Sequence, residues 1–240
     1  MSMNTTLLNV AQLCAWYDRA QVLFAIDLHI QPGEVVALLG RNGAGKSTTL
    51  KSLIGLLRST SGRVSWQGQA IQHLPSHKIA RLGIGYVPEE RRIFTELSVR
   101  ENLEVGRRPP ADGSPPVWDE ARVFTLFPNL RELLDRPAGR MSGGEQQMLT
   151  VARTLMGHPR LLLLDEPSEG LAPVIVAQLS EAVWALKQQG LSVLLSEQNL
   201  GFALQVCDRV YLMESGHIRY QGSREDLQNN PSIRKQYLGV

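Results

Sequence analysis

Gly40-Arg41-Asn42-Gly43-Ala44-Gly45-Lys46-Ser47 stands between the apolar run Val35-Val36-Ala37-Leu38-Leu39 and a segment, Thr48–Leu57, that reads as a helix. The stretch fits G-x-x-x-x-G-K-[ST], in which successive backbone N–H groups, a lysine and a hydroxyl point at a nucleotide's phosphates. Three glycines within six residues let the main chain wrap an anion without Cβ clashes, and the helix that follows offers its positive N-terminal end. Lys46 is expected to reach the β- and γ-phosphates and Ser47 to ligate Mg²⁺. A glycine-rich turn that binds nothing could carry similar residues. The strand before it and the helix after it supply the context that the motif requires.

The 240 residues, 43% of them hydrophobic, suffice for one α/β domain or a domain with a subdomain. Twenty-five basic residues against twenty-three acidic leave a formal charge of +2, with no like-charged block of the kind that forms a nucleic-acid arm. Cys14 and Cys207 are far apart and lack metal-ligand spacing, which argues against a disulfide framework or zinc site and suits a reducing cytoplasm. The N-terminus lacks the order of a signal peptide, and no apolar stretch approaches the roughly twenty residues of a spanning helix.

Leu7–Tyr17, Val22–Ile30 and Glu34–Leu39 read as strands, the first two as an antiparallel layer and the third as a strand buried on both faces of a parallel sheet. Gly62–Gly68 alternates like a short strand, and Gly83–Pro88 resembles another central strand stopped by proline. From Glu89 to about Thr154 the spacing turns helical, interrupted by the proline-rich loop Arg107–Pro116, and suggests a helical insertion into the core. Leu161–Glu166 resumes the core. A helix over Val174–Gln189, a strand at Leu191–Ser196, a helix over Leu200–Cys207 and a hairpin around Ser215-Gly216 follow, then a short C-terminal helix.

Two further stretches carry chemistry. A strand ending in Asp165-Glu166 offers one carboxylate to hold Mg²⁺ and a second to orient the attacking water, since at a strand's end the chain leaves the pleat and both can serve one site. Met141-Ser142-Gly143-Gly144-Glu145-Gln146-Gln147 opens a helix with serine at the N-cap and glutamate at N3. Capping alone accounts for Ser142 and Glu145. It does not account for Gly143-Gly144, because glycine disfavours a helix by roughly 1 kcal/mol relative to alanine. Exposed N–H groups there would form a second anion site.

These residues resemble the ATP-binding cassette (ABC) ATPases, and the order of motifs matches that family over nearly the whole chain. Gly40–Ser47 looks like the Walker A loop, Met141–Gln147 the signature sequence and Leu161–Glu166 the Walker B strand. The resemblance implies an α/β fold with a P-loop NTPase core, an antiparallel N-terminal β-layer and an inserted helical subdomain. In numbers, 1–88 and 157–240 would form the core and 89–156 the helical signature subdomain. It implies ATP and Mg²⁺ as cofactors. Nucleotide contacts would come from Tyr17 under adenine, from Gly40, Arg41, Asn42, Gly43, Ala44, Gly45, Lys46, Ser47 and Thr48, and from Ser142, Gly143, Gly144 and Glu145 of a facing subunit. Ser47, Asp165 and Glu89 would face the metal, and Lys46, Glu166 and Gln198 would be catalytic.

Three positions depart from the family's usual pattern. Val87-Pro88-Glu89 has a carboxylate where glutamine is usual, Ser168-Glu169-Gly170-Leu171-Ala172-Pro173 lacks the usual aspartate of the dimer-contacting loop, and Gln198 stands where histidine is usual. The Gln198 amide can donate a hydrogen bond but cannot carry a proton or positive charge. With Glu197-Gln198-Asn199 and Gly170-Leu171-Ala172-Pro173, these departures look like the shorter ATPase subunit of branched-chain amino acid importers. Urea and short-chain amide importers are similar, so the substrate stays open. Implied partners are a second ATPase subunit, identical or different, two transmembrane permease subunits and, indirectly, a periplasmic binding protein, with the chain on the cytoplasmic face of the inner membrane and no nucleic acid. The rival class is a non-transport ABC ATPase of DNA repair, translation or assembly. Arg91-Arg92-Ile93-Phe94 is the expected wall of the groove that receives the membrane subunits.

Overall fold

Apolar runs without alternation require a sheet covered on both faces, because every other side chain points to the opposite side. The computed structural model of the chain, which describes residues 6–110 and 117–238, meets that requirement in a six-stranded sheet. It is built from β3 (Val35–Leu39), β6 (Ile84–Val87), β7 (Leu161–Asp165), β8 (Ser192–Glu197), β9 (Arg209–Glu214) and β10 (His217–Ser223), in the order β10-β9-β3-β8-β7-β6. All neighbours are parallel except the β9–β10 hairpin. Val36 and Leu38 join one core cluster while Val35, Ala37 and Leu39 join another, and Leu161 and Leu163 divide from Leu162 and Leu164 in the same way. Each such buried side chain contributes about 1.5–3 kcal/mol.

One face is covered by α1 (Lys46–Leu53) and a four-stranded antiparallel sheet of order β2-β1-β4-β5, with β1 at Leu8–Tyr17, β2 at Ala20–Ile30, β4 at Thr60–Trp66 and β5 at Gln69–Ala70. A short helix, α2 (Ser76–Arg81), leads into β6. On the other face lie α7 (Pro173–Gln188) and α8 (Leu200–Val206). The helices between β6 and β7 are α3 (Val99–Gly106), α4 (Glu120–Leu126), α5 (Pro128–Glu132) and α6 (Gly143–Leu155), and their apolar residues Leu103, Val123, Phe127 and Met148 continue the second cluster. Two helices, α9 (Arg224–Asn229) and α10 (Pro231–Tyr237), close the chain where one was expected.

The Gly83–Pro88 strand is a correction. Among the described residues β6 pairs only with β7 and forms the edge of the sheet, not a central strand. Its apolar residues report that both faces are covered, which says nothing about whether both edges are hydrogen-bonded. Of the expected loop Arg107–Pro116, residues 111–116 lie outside the described residues.

The parallel register places the site. Leu39 pairs with Glu197, and Ser196 pairs with Asp165, so the C-terminal ends of β3, β8 and β7 lie side by side. Val87 at the end of β6 pairs with Leu164 and brings Glu89 to the same rim. Ligands of open parallel sheets bind at this rim.

Candidate nucleotide-binding and hydrolytic site

The loop after β3 turns into α1 through Gly45, whose φ of +107° is open to glycine and whose missing Cβ would come within 2.9 Å of Leu23 on β2. That close approach puts the hairpin against the loop. Val22, Asn42, Gly43, Gly45, Lys46, Ser47 and Thr48 then line a cleft of about 340 Å³ together with Glu89, Glu166 and Glu169. Lys46 is the first residue of α1 and is 3% exposed, with its ammonium donating to the carbonyls of Gly40 (2.7 Å) and Arg41 (3.1 Å). It also pairs with Glu166 at 2.9 Å.

Asp165, fully buried at the end of β7, accepts three hydroxyl hydrogen bonds. Ser47 donates to Oδ1 at 2.8 Å, Ser196 to the same oxygen at 2.7 Å, and Tyr86 to Oδ2 at 2.9 Å. A buried carboxylate needs such donors to offset its desolvation. Burial pushes the Tyr86 phenol up, and the Asp165 charge adds to the rise, so Tyr86 stays a donor. The convergence of Ser47 and Asp165 beside the phosphate-loop lysine matches the hydroxyl-plus-carboxylate oxygen set that suits Mg²⁺.

Glu166 follows directly, 9% exposed, with a left-handed φ of +46° just before Pro167. Its amide donates to the Ser196 carbonyl (3.0 Å) and hydroxyl (3.2 Å). Glu89 stands exposed on the far rim, its carboxyl pushed up by burial first and then by Glu169, Asp165, Glu166 and Glu90. The cleft is therefore a place where negative charge has accumulated and a bound cation would be stabilised. Gln198 is exposed at the first position after β8. Tyr17, at the end of β1, is 45% exposed at the tip of the hairpin whose second strand carries Val22.

The signature stretch is built separately. Ser142 caps α6 by accepting from the Glu145 amide (3.3 Å), and the Glu145 carboxylate accepts from the Ser142 amide (2.7 Å). Gly143 carries the guanidinium of Arg91 against it, and a Cβ there would sit 2.9 Å from Arg91 Nη1. None of Ser142, Gly143, Gly144 or Glu145 lines the cleft that holds Lys46. Within one chain the signature stretch and the Lys46 cleft thus remain separate.

Tyr86, Ser196 and Glu197 were not singled out in the sequence as site residues. The signal available was polarity at the end of an apolar strand: Val193-Leu194-Leu195 runs into Ser196-Glu197, and all five are buried. Nothing local marks Tyr86, because its partner lies 79 residues away.

Arg91 faces the signature glycine, and Ile93 packs on the core. Phe94, 48% exposed, lines a groove of about 390 Å³ with Leu56, Tyr86, Val105 and Arg153. Among the described residues no helix is long and apolar enough to cross a membrane.

Residues 23–169, more than half of the chain, match the ABC transporter family. The high-affinity branched-chain amino acid transport ATP-binding protein BraG of Pseudomonas aeruginosa is 42% identical over 233 residues, covering 97% of this chain and 100% of that protein. The lipopolysaccharide export system ATP-binding protein LptB of Haemophilus influenzae is 34% identical over 236 residues, covering 98% of each. Among solved structures, the ADP conformation of an ATP-binding cassette of an ABC transporter superposes with a TM-score of 0.82 at 26% identity, covering 98% of this chain and 99% of that one. The chain belongs to the ABC transporter family, as one of its ATP-binding and ATP-hydrolysing cassettes.

Proposed function

We propose that the chain powers a bacterial high-affinity importer of branched-chain amino acids, seated on the cytoplasmic face of the inner membrane beneath two permease subunits. The observation that carries the reading is the 42% identity to BraG along the full length of that protein. The groove walled by Phe94, Leu56 and Val105 supports it, because exposed apolar side chains around a concave surface fit a helix from a partner. Residues 1–88 with 157–240 form the nucleotide core in this reading, and 89–156 the helical body that moves against it. Two chains, or this chain and a second ATPase subunit, face head to tail, so that Ser142-Gly143-Gly144 of one closes on the phosphates held by the other.

In the mechanism, Lys46 exchanges its Glu166 partner for the β- and γ-phosphates, which frees the Glu166 carboxylate to orient and deprotonate water. Gln198 donates to the γ-phosphate from the adjacent strand end. Ser47 and Asp165 would hold Mg²⁺, which when bound neutralises charge on the phosphates. Catalysis is then mostly positioning and charge stabilisation.

The test is reconstitution of the chain in vesicles with the permeases and binding protein of a branched-chain amino acid importer. ATP-dependent uptake of leucine, isoleucine and valine is expected. Uptake of urea or short-chain amides alone would replace the substrate class, and association with lipopolysaccharide-export permeases would favour the function named for LptB, the second reading that its 34% identity supports.

A further inference from the structure

Glu197 is a carboxylate only 1% exposed at the end of β8, and its side chain has no place in the mechanism above. Its side chain accepts from three backbone amides. Oε1 accepts from the Ser168 amide at 3.0 Å, and Oε2 accepts from the amides of Gln198 (3.1 Å) and Asn199 (3.0 Å). The two oxygens therefore serve two different loops, one leaving β7 and the other leaving β8. Burial is the main influence on this carboxyl and raises its pKa, against the lowering effect of the Ser168 side chain and then of the Asn199 and Ser168 amides. Such an arrangement is costly to bury and is kept only where the donors are in place.

The loop leaving β7 carries a strained residue. Glu166 has φ +46°, a conformation that strains a non-glycine residue and persists where the surroundings over-determine it. Ser196 holds it from the N-terminal side through the Glu166 amide, and Glu197 holds it from the C-terminal side through the amide of Ser168. The same carboxylate orders the backbone of Gln198.

We propose that Glu197 is a positioning residue for hydrolysis, clamping the Glu166 loop and the Gln198 loop into one body so that the water-orienting carboxylate and the γ-phosphate donor keep a fixed separation. The inference rests on the roles given above to Glu166 and Gln198. It adds a residue that touches neither water nor phosphate.

Glu197→Gln tests it with little change in volume. A glutamine has one acceptor oxygen, so either orientation satisfies one loop and turns an N–H₂ toward the amides of the other. The expected result is a fall in kcat of about tenfold or more, the effect of losing a hydrogen bond to a charged group, with KM for ATP and binding of a non-hydrolysable ATP analogue unchanged. The readout specific to positioning is a double-mutant cycle. If Glu197 acts through Glu166, adding Glu197→Gln to Glu166→Gln lowers the residual rate no further. Wild-type kcat in Glu197→Gln, or losses that multiply in the double variant, would overturn the inference alone. Near-normal turnover in Glu166→Gln by itself would remove the role of Glu166, and the clamp with it. If the glutamine variant does not fold, Glu197→Asp carries the same cycle with the charge retained on a shorter stem.

Discussion

Gly40–Ser47 is tied into the sheet by side chains from three strands, through Tyr86 on β6, Asp165 on β7 and Ser196 on β8, whereas Ser142–Glu145 is tied to its own first helical turn and to Arg91. In the first region Lys46, Ser47 and Asp165 have their donors and acceptors paired inside one chain. The second is a capped helix end whose Gly143 lies against Arg91 and whose Gly144 is packed on Ile175, and it does not line the cleft that holds Lys46. The difference teaches where the proposed unit of function lies: the contacts around Lys46 and Asp165 close within one chain, and those of the signature stretch do not reach them, as the proposed head-to-tail pairing requires.

The largest effect is expected on the paired half. Glu166→Gln should leave ATP binding intact and lower hydrolysis by roughly 10²–10⁴-fold, the usual contribution of a general base. Single-turnover rates beside analogue binding check this, and near-normal turnover would break the assignment. Mixed dimers sharpen the comparison. When Glu166→Gln and Gly143→Asp sit on separate chains, a head-to-tail dimer keeps one intact composite site. When both sit on one chain paired with a wild-type chain, no site is intact and activity should fall to background. The reverse order, with activity kept when both sit on one chain and lost when they sit on separate chains, would show that the signature serves its own chain.

Next in size is Phe94→Ala. Aromatic anchors of interfaces are often worth more than 1 kcal/mol, so affinity for the permease pair should drop by about tenfold while basal hydrolysis by the isolated subunit holds. Titration of permease in detergent against both variants measures it. Loss of basal activity as well would mean that Phe94 supports the fold through the Arg153 guanidinium 5.1 Å from its ring.

Ser142→Ala removes the side-chain half of the capping box, and a stability loss of about 1 kcal/mol is expected from denaturant unfolding. An equal loss from Ser47→Ala would erase the contrast, since Ser47 spends its hydroxyl on Asp165 and not on a cap.

The smallest effect concerns pH. His158, 8% exposed, accepts the Trp118 amide on Nδ1, and burial first, then Arg107, lowers its pKa from the ordinary 6.5. Between the two values the unfolded chain holds more protons than the folded one, so stability falls as pH drops below about 6.5 and levels off below the folded value. His158→Asn tolerates the left-handed backbone at this residue, φ +51°, and should flatten that decline in a chemical-denaturation series.

The signature and phosphate stretches were legible because their residues are contiguous and their glycines are used by the backbone itself. Strand positions followed from apolar runs to within a residue or two, as with β3 and β7. The edge position of β6 was not legible, because apolarity reports covered faces and not paired edges. The helix α2 was missed, and its six residues offer one buried side chain, Ile79, too few for a period. Within the site, Tyr86 and Glu197 escaped notice because each depends on a distant partner, Asp165 for Tyr86 and the Ser168 amide for Glu197.

By itself the sequence determined the glycine-rich loop between β3 and α1, the acidic end of β7, the capped helix α6 and their order, since each depends on neighbours within a few residues. Only the tertiary structure decided that Asp165 is held by hydroxyls from two other strands and from α1, that Lys46 pairs with Glu166, and that Glu197 joins two loops. The physical reason is register. Parallel pairing of Leu39 with Glu197 and of Asp165 with Ser196 sets which strand ends share a rim, and that pairing is made by backbone hydrogen bonds between segments more than a hundred residues apart for the first pair and thirty-one for the second.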